Sequence, residues 1–348
     1  MTAPITLGAG DRVLVTRLNY LGDVVLSLSM VDALRRAYPG IEIDYLTREP
    51  AATLLRGDPR FARVLTWSNG TGAALSMVRT LRLRRYRAAI DLYSNPRSAW
   101  LSWLSGAPVR IGGNRRGRRL LYTHRIQPAA GTPVIDVFME YAKPLGVSGP
   151  APKPVLAINA RERDAAEAHL ENAGAAAAGN TPRIGVHPGG KWSVKRWPAA
   201  HFAALVDRLQ NAGARVVVFT GPDERDATDD VMRRVTTSPA LLEPLDIRAT
   251  AAIVSCLDAM VACDGGIMHT SVATGTPTVG IFGSSQSSVW FPYEDFGPYR
   301  AAEIDVPCRP CHQHVCPLGH TRCLNQLSPE RVASILDPLL HARTRLAT

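Results

Sequence analysis

The glycine-rich turn at residues 263–269, CDGGIMH, is the segment of this chain best suited to hold an anion. It follows an apolar stretch typical of a strand and leads into a small-residue stretch typical of a helix. Gly265 and Gly266 let the backbone approach a ligand, and the free N–H groups and dipole of a helix start favour negative charge. His269 stands about one turn further on, within reach of the same anion. The turn predicts a diphosphate site, and a locally satisfied strand-to-helix turn is the alternative.

A second glycine turn, within residues 183–198, combines backbone amides with positive charge in the sequence RIGVHPGGKWSVKRWP. Gly189 and Gly190 bring amides close to a ligand, and Lys191, Lys195 and Arg196 follow just before a predicted helix. Amides and cationic side chains together are typical of phosphoryl-binding loops. The spacing differs from that of a P-loop. We predict a phosphate-binding loop, with a plain basic loop at a helix start as the alternative.

Two acidic residues occupy ligand-facing positions after predicted strands. Asp23 follows the first strand and Gly22, and a carboxylate there can take a proton from a hydroxyl nucleophile; an N-cap aspartate is the alternative. Glu224 follows strand 215–220, where an acid can bind ribose hydroxyls; a helix-start acid that complements the dipole is the alternative. The first turn lacks the GxGxxG pattern, which disfavours a dinucleotide site.

Four of the six cysteines cluster late in the chain, with three histidines among them. A CxxC start and a set of four thiols are typical of a structural zinc or iron site. Reduced structural thiols are the alternative, and a reducing compartment disfavours disulfides. The other two cysteines lie in apolar patterns typical of the core. The cluster comprises Cys308, Cys311, Cys316 and Cys323, with His312, His314 and His320 interleaved.

The elements that carry these residues alternate between strand and helix patterns, which predicts βαβ units and parallel sheets. Predicted strands cover 12–16, 41–46, 64–67 and 88–92 in the first half, and 183–187, 215–220, 241–243, 259–262 and 278–282 in the second. This is an α/β fold with two Rossmann-like domains, 1–160 and 161–348. The last helix, 329–345, is a candidate to pack back on the first domain. Ligands of such folds bind at the carboxyl ends of the strands.

Charge divides the two halves. The chain of 348 residues has a net charge of +10, and residues 1–150 hold 21 lysines and arginines against 10 acids. Such a basic field predicts an anionic partner: nucleic acid, an acidic glycolipid or an anionic membrane surface. A solvated basic face is the alternative. No acid occurs between Asp91 and Asp136, whereas arginines occur at Arg97, Arg110, Arg115, Arg116, Arg118, Arg119 and Arg125.

An apolar aromatic segment at 100–104, WLSWL, stands beside these arginines. We interpret it as core packing, with contact to a bilayer interface as the alternative. Residues 1–11 do not resemble a signal peptide, and no stretch reaches the roughly 18 apolar residues of a membrane span. We therefore expect a cytoplasmic protein.

Five segments together resemble glycosyltransferase family 9, the ADP-heptose:lipopolysaccharide heptosyltransferases of lipopolysaccharide core biosynthesis, most closely the heptosyltransferase II branch. The resemblance implies a GT-B-like fold, in which two Rossmann-like domains face each other across a ligand cleft, and a chemistry that needs no metal. The segments are RLNYLGDVV at 17–25, HPGGKWSVKRWP at 187–198, DGGIMH at 264–269, GTPTVGIFG at 275–283 and CRPC…CPLGHTRC at 308–323.

The resemblance also implies roles for individual residues. Asp23 is the general base in an inverting transfer, and Lys195 binds the diphosphate of the donor. The family usually has serine or threonine after the aspartate of DGGIMH, where this chain has Gly265, so a hydroxyl contact to the donor is missing. The expected donor-binding residues are Gly22, His187, Gly189, Gly190, Lys191, Lys195, Arg196, Glu224, Asp264, Gly265, Gly266, Met268 and His269. The expected acceptor-binding residues are Arg17, Asn19, Arg48, Arg115, Arg116, Arg118 and Arg119.

The implied partners are ADP-heptose and the anionic inner core of lipopolysaccharide, met by a peripheral protein at the inner face of the inner membrane. No cofactor is expected for catalysis, although the cysteine cluster predicts a structural zinc or iron. Two other functions stay open. One is a related family 9 transferase that uses another nucleotide sugar or a protein acceptor. The other is a nucleic-acid-binding protein, which would explain the arginines and leave the glycine turns unexplained.

Overall fold

The computed structural model describes the backbone of residues 5–346 and the side chains of residues 5–340. The chain divides into two compact units, Met1–Pro154 and Val155–Thr348, called unit 1 and unit 2 below. The domain boundary predicted from the sequence, after residue 160, lies six residues later than this division. None of the helices in the described part of the chain is both long and apolar enough to cross a bilayer.

Unit 1 is built on a fully parallel six-stranded sheet with helices between the strands. Its strands are β1 (Arg12–Thr16), β2 (Glu42–Thr47), β3 (Arg63–Thr66), β4 (Ala88–Asp91), β5 (Val109–Gly113) and β6 (His124–Ile126). Its helices are α1 (Leu21–Ala37), α2 (Ala51–Leu55), α3 (Thr71–Arg84), α4 (Pro96–Leu104) and α5 (Val134–Ala142). The order β3-β2-β1-β4-β5-β6 is the Rossmann order, which reverses between β1 and β4.

Unit 2 repeats this arrangement in the order β12-β11-β10-β7-β8-β9, again fully parallel, and reverses between β7 and β10. Its strands are β7 (Arg183–His187), β8 (Arg215–Phe219), β9 (Ala240–Leu242), β10 (Ala259–Cys263), β11 (Thr278–Ile281) and β12 (Tyr299–Ala302). Its helices are α6 (Ala160–Asn172), α7 (Ala199–Asn211), α8 (Arg225–Met232), α9 (Ile247–Ser255), α10 (Gly266–Thr274), α11 (Ser287–Trp290), α12 (Arg322–Asn325) and α13 (Pro329–Leu346).

Three strands, β5, β6 and β12, were not predicted from the sequence, and all three lie toward or at a sheet edge. β5 reads VRIGG, β6 has only three residues, and β12 reads YRAA. Arginine and glycine break the apolar run expected of a strand buried in a parallel sheet. These segments form strands because β4, β5 and β11 offer hydrogen-bonding edges to β5, β6 and β12 respectively, a condition that depends on the packing of the whole sheet.

The central strands are buried on both faces, as strands of a parallel sheet covered by helices must be. Every residue of β10 is buried, as are all residues of β7. Helix α13 contributes Val332 and Leu336 to the core of unit 2, where it packs on α7, β11 and β12. Its packing on the first domain stays a prediction.

Local sequence determines where several helices begin. Asn95 accepts a hydrogen bond from the backbone N–H of Ser98, and Pro96 takes the first helical position of α4. Asp246 caps α9 in the same way through Arg248 and Ala249. These caps replace the acceptors that a helix start lacks within itself.

Candidate active site

The strand reversal of unit 2 brings the two glycine turns side by side. His187 ends β7, Asp264 follows β10, and the two strands are hydrogen-bonded neighbours. In open parallel sheets a ligand binds at this place, outside the carboxyl ends of the strands. Residues that lie far apart in the chain therefore share one edge of the sheet.

Lys195 joins the two turns directly. Its Nζ lies 2.6 Å from Oδ2 of Asp264, and the Asp264 side chain is only 4% exposed against 18% for Lys195. The same Nζ lies 5.1 Å from the centre of the Trp192 ring. Two contacts therefore hold one ammonium group at the carboxyl end of β10. An anion that binds there meets a positive charge already in place.

Helix α10 presents its amino end at the same edge. The helix begins at Gly266 after an extended Gly265, and its described residues include no side-chain cap. Its first-turn N–H groups thus lack a side-chain acceptor, which is the arrangement that suits a bound anion. His269 is buried one turn into the helix, with Nδ1 2.9 Å from the Tyr293 hydroxyl.

Glu224 lies against the first glycine turn. Its Oε2 is 2.9 Å from Nε2 of His187. Burial opposes ionisation of this carboxyl, but the hydrogen bond and charge of His187, the charge of Arg196 and the N–H of Gly190 together hold its pKa below the usual value. A Cβ at Gly189 or at Gly221 would collide with the Glu224 carboxyl, so this close approach requires glycine.

The other predicted donor residues have varied surroundings. Nε of Arg196 donates to the carbonyl of Gly190 at 2.6 Å and so supports the turn from within. Nζ of Lys191 lies 5.7 Å from the Trp192 ring centre. Met268 is fully buried, and a Cβ at Gly280 would come within 2.6 Å of its sulfur, which makes Met268 part of the packing beneath α10.

In unit 1 the strand order reverses between β1 and β4, and Asp23 lies in the first turn of α1, the helix that follows β1. Oδ1 of Asp23 is 2.6 Å from NH2 of Arg17, and Oδ2 accepts the N–H of Tyr20 at 3.0 Å. Arg17 also donates to the carbonyl of Leu92 at 2.6 Å. The carboxylate is thus oriented by two donors, and each oxygen keeps a further lone pair. Proton acceptance and helix capping are both compatible with this arrangement.

The predicted acceptor residues follow the carboxyl ends of β1, β2 and β5 in unit 1, and two of them, Arg118 and Arg119, begin the short 3₁₀ helix Arg118–Leu121. NH2 of Arg48, after β2, donates to Oδ1 of Asn69 at 3.1 Å. Nε of Arg118 donates to the carbonyl of Ser94 at 2.9 Å. The exposed arginines after β5 are Arg115, Arg116 and Arg119, while Arg17 is engaged with Asp23 and Asn19 precedes α1.

Comparison with known proteins decides the family, since the model of glycosyltransferase family 9 (heptosyltransferase) matches residues 74–322. The chain belongs to glycosyltransferase family 9. It is 24% identical over 345 residues to lipopolysaccharide heptosyltransferase 2 of Escherichia coli strain K12, which covers 94% of this chain and 98% of the relative. It is 25% identical over 366 residues to lipopolysaccharide heptosyltransferase 1 of Pseudomonas aeruginosa, covering 95% and 98%.

The structure of E. coli ADP-heptose lipopolysaccharide heptosyltransferase II has the same fold as this family 9 chain. The TM-score is 0.80 at 22% sequence identity, over 96% of this chain and 99% of the other. Two parallel six-stranded α/β sheets are the GT-B pattern, so the predicted fold class is confirmed. The chain is a glycosyltransferase of the heptosyltransferase family.

The predicted structural metal in this family 9 chain has no support. The four clustered cysteines line one small cavity together with His320, and all are free thiols. Among the described residues, however, no three histidine, cysteine or acidic side chains are arranged to hold a metal ion. The thiols also differ from one another. Backbone N–H groups, that of Thr321 foremost, lower the pKa of Cys316, whereas burial raises the pKa of Cys323.

Two aromatic contacts near the donor residues of this glycosyltransferase were missed by the sequence analysis. Trp192 stacks on His314 with ring centres 4.1 Å apart and an angle of 5° between the planes, which ties the first glycine turn to the cysteine segment. Tyr293 meets His269, as described above. Trp192 lies inside the motif and could have been noticed, but nothing local in the sequence pairs either residue with its partner.

Asp91 is a further buried polar residue that was not singled out from the sequence. It ends β4, is fully buried, and accepts the N–H groups of Tyr93 and Ser94 and the hydroxyl of Tyr122. Burial raises its pKa, although these hydrogen bonds oppose the rise. Its contacts shape the turn after β4, in which Ser94 has a φ of 51°. The apolar strand AAID gave no sign of this network.

Proposed function

We propose that this family 9 enzyme transfers a heptose from ADP-heptose to the inner core of lipopolysaccharide, with inversion at the anomeric carbon. The observation that carries the proposal is the Lys195–Asp264 pair beside the uncapped start of α10. Positive charge and free amides at a strand reversal suit the diphosphate of a nucleotide sugar. The names of the relatives supply the sugar and the nucleotide.

In this mechanism the charge of the leaving ADP is taken up by unit 2. As the glycosidic bond breaks, negative charge grows on the diphosphate, and Lys195, His269 and the N–H groups of α10 stabilise it. Such interactions strengthen in the transition state and therefore lower the barrier. The Asp264 carboxylate shares Lys195 in the free enzyme, so the binding diphosphate competes for an ammonium that is already oriented.

Asp23 is proposed as the base that removes the proton from the acceptor hydroxyl during attack. Arg17 and the N–H of Tyr20 orient its carboxylate. Glu224, fixed by His187, is proposed to bind ribose hydroxyls. The exposed arginines after β5 are proposed to meet the anionic acceptor, because guanidinium groups match phosphate and carboxylate.

Membership of the heptosyltransferase II-like branch of family 9 and the identity of the acceptor hydroxyl stay predictions. Relatives named heptosyltransferase 1 and heptosyltransferase 2 match this chain at 25% and 24% identity. The heptosyltransferase II-like branch is therefore tested by giving the enzyme acceptors with and without a first heptose. Transfer only to the heptosylated acceptor would support that branch.

The donor is tested by calorimetric titration with ADP, GDP and UDP in buffer that contains EDTA. We expect selective binding of ADP, and we expect Lys195→Ala to weaken ADP far more than adenosine, because only ADP carries the diphosphate. Arg163→Ala, an exposed change on α6, is the control. Preference for GDP or UDP would be compatible with a nucleotide-sugar transferase but would contradict ADP-heptose as the donor. Absence of binding to all three nucleotides would contradict the proposed diphosphate site.

A further inference from the structure

Two neighbouring helices of unit 1 expose large apolar side chains to solvent. Leu75 and Leu83 of α3 are 74% and 72% exposed, and Trp100 and Trp103 of α4 are 52% and 45% exposed. Core packing of 100–104, as predicted from the sequence, is wrong for both tryptophans, whereas Leu101 between them is buried. Exposed apolar groups gathered on one part of a protein indicate a binding surface.

The two helices, α3 and α4, are neighbours in the structure. They pack against each other, and Nε of Arg82 near the end of α3 donates to the carbonyl of Leu104 at the end of α4 at 3.0 Å. On α3, Leu75, Arg79 and Leu83 follow one another at intervals of four residues, which places them along one side of the helix, and all three line the same depression. On α4, the rings of Trp100 and Trp103 contact edge to face at 5.5 Å.

Arginines surround these apolar groups. A shallow open depression on α3 is lined by Leu75, Val78, Arg79, Arg82, Leu83 and Arg85. Among the described residues neither Arg79 nor Arg85 has a carboxylate partner. Leu75, Leu83, Trp100 and Trp103 with Arg79, Arg82 and Arg85 are called the tryptophan–arginine surface below.

The stretch of sequence that contains α3 and α4 has no exposed acidic residue. Between Asp58 and Asp136 the sequence contains one acid, Asp91, and that residue is fully buried. At the end of α3, Glu42 and Asp44 both pair with Arg84. The exposed charge around the apolar groups is therefore positive.

We infer that the tryptophan–arginine surface docks on an anionic lipid bilayer. Tryptophan rings are suited to the level of lipid headgroups, leucines enter the acyl boundary, and arginines bind the headgroup phosphates. A nucleic acid would satisfy the arginines but leave Leu75 and Leu83 in water. A second copy of the chain, meeting the same surface around a two-fold axis, would bring like charges together.

The test is flotation of the full chain with vesicles of phosphatidylcholine alone and of phosphatidylcholine with phosphatidylglycerol. We expect binding to the anionic vesicles that weakens as salt is added, because salt screens the attraction between exposed charges. In Arg79→Gln and Arg85→Gln we expect a loss of about fivefold for each charge removed. In Trp100→Ser with Trp103→Ser we expect a loss of about tenfold, from lost apolar burial.

Matched controls come from unit 2. Leu318→Ser removes a leucine that is 61% exposed, and Arg161→Gln with Arg163→Gln removes two exposed charges on α6. These variants should bind vesicles like the wild type. Every variant should keep the thermal unfolding curve of the wild type, followed by circular dichroism, which shows that unit 1 is folded. Since the vesicles contain neither nucleotide nor lipopolysaccharide, failure here is distinct from failure of the proposed transferase function.

Four results would overturn the inference. In the first, the wild type would bind vesicles with and without phosphatidylglycerol equally. In the second, the surface variants would bind anionic vesicles as tightly as the wild type does. Sedimentation equilibrium would show a dimer that the two tryptophan changes dissociate, which would make a second copy the occupant. Random duplex DNA would bind more tightly than anionic vesicles, which would assign the arginines to nucleic acid.

Discussion

At the scale of single residues, the sharpest prediction concerns Asp23. Asp23→Asn keeps the size of the side chain and an oxygen that can accept from Tyr20 N–H, but it removes the capacity to take a proton. We expect kcat for heptosyl transfer to fall by about 10² to 10⁴, the range for loss of a general base. ADP affinity should stay unchanged, because the donor contacts described above lie in unit 2. The measurements are single-turnover transfer and ADP titration.

A control variant distinguishes a general-base role of Asp23 from a helix-capping role. Asp23 is the third residue of α1 and accepts the N–H of the N-cap residue Tyr20, whereas Asn95 is itself the N-cap residue of α4. Asn95→Ala removes that cap and should cost stability without changing kcat. If Asp23→Asn left kcat unchanged, while Asp23→Ala lowered the melting temperature as Asn95→Ala does, Asp23 would be a capping residue only.

At the scale of elements, the stack of Trp192 on His314 couples the cysteine segment to the first glycine turn. Trp192 also meets Lys195, so loss of the stack should loosen the position of that ammonium group. We expect His314→Ala to raise KM for the donor by about threefold to tenfold, consistent with the energy of an aromatic pair, with little change in kcat. Steady-state kinetics with varied donor concentration measure this split.

Two further variants make the test of the stack specific. His314→Phe keeps a flat ring and should restore the KM of the wild type. Val315→Ala alters the exposed neighbouring residue and should have no effect. If His314→Phe were as impaired as His314→Ala, the imidazole itself and not the stack would matter.

At the scale of the whole molecule, each unit has its own sheet and its own buried residues. The groups proposed to hold the diphosphate, which are Lys195, His269 and the first N–H groups of α10, all lie in unit 2. We therefore expect residues 155–348 expressed alone to unfold cooperatively and to bind ADP with the affinity of the full chain. Thermal unfolding followed by circular dichroism and ADP titration check this.

The same Lys195→Ala change serves as the control in the isolated unit, where it should remove ADP binding as it does in the full chain. A folded unit 2 without affinity for ADP would show that unit 1 contributes to donor binding. Failure of residues 155–348 to fold would contradict the domain division itself.

The sequence alone determined the local features of this protein. The alternation of strands and helices, the glycine turns at 188–190 and 264–266 and the arginine excess of the first half are each written within a few neighbouring residues, and they led to the fold class and the family. Lys195 and Asp264 could be named singly for the same reason, because a basic loop and a turn after a strand are both short patterns.

The tertiary structure decided which residues meet. Strand order brings β7 beside β10 and so pairs Lys195 with Asp264, and it gives β12 an edge on which to form. It also buries Leu101 and leaves Trp100 exposed, and it leaves the four clustered thiols without a metal-binding arrangement in the described chain. Contacts between distant residues depend on how whole elements pack, and no short pattern contains that information.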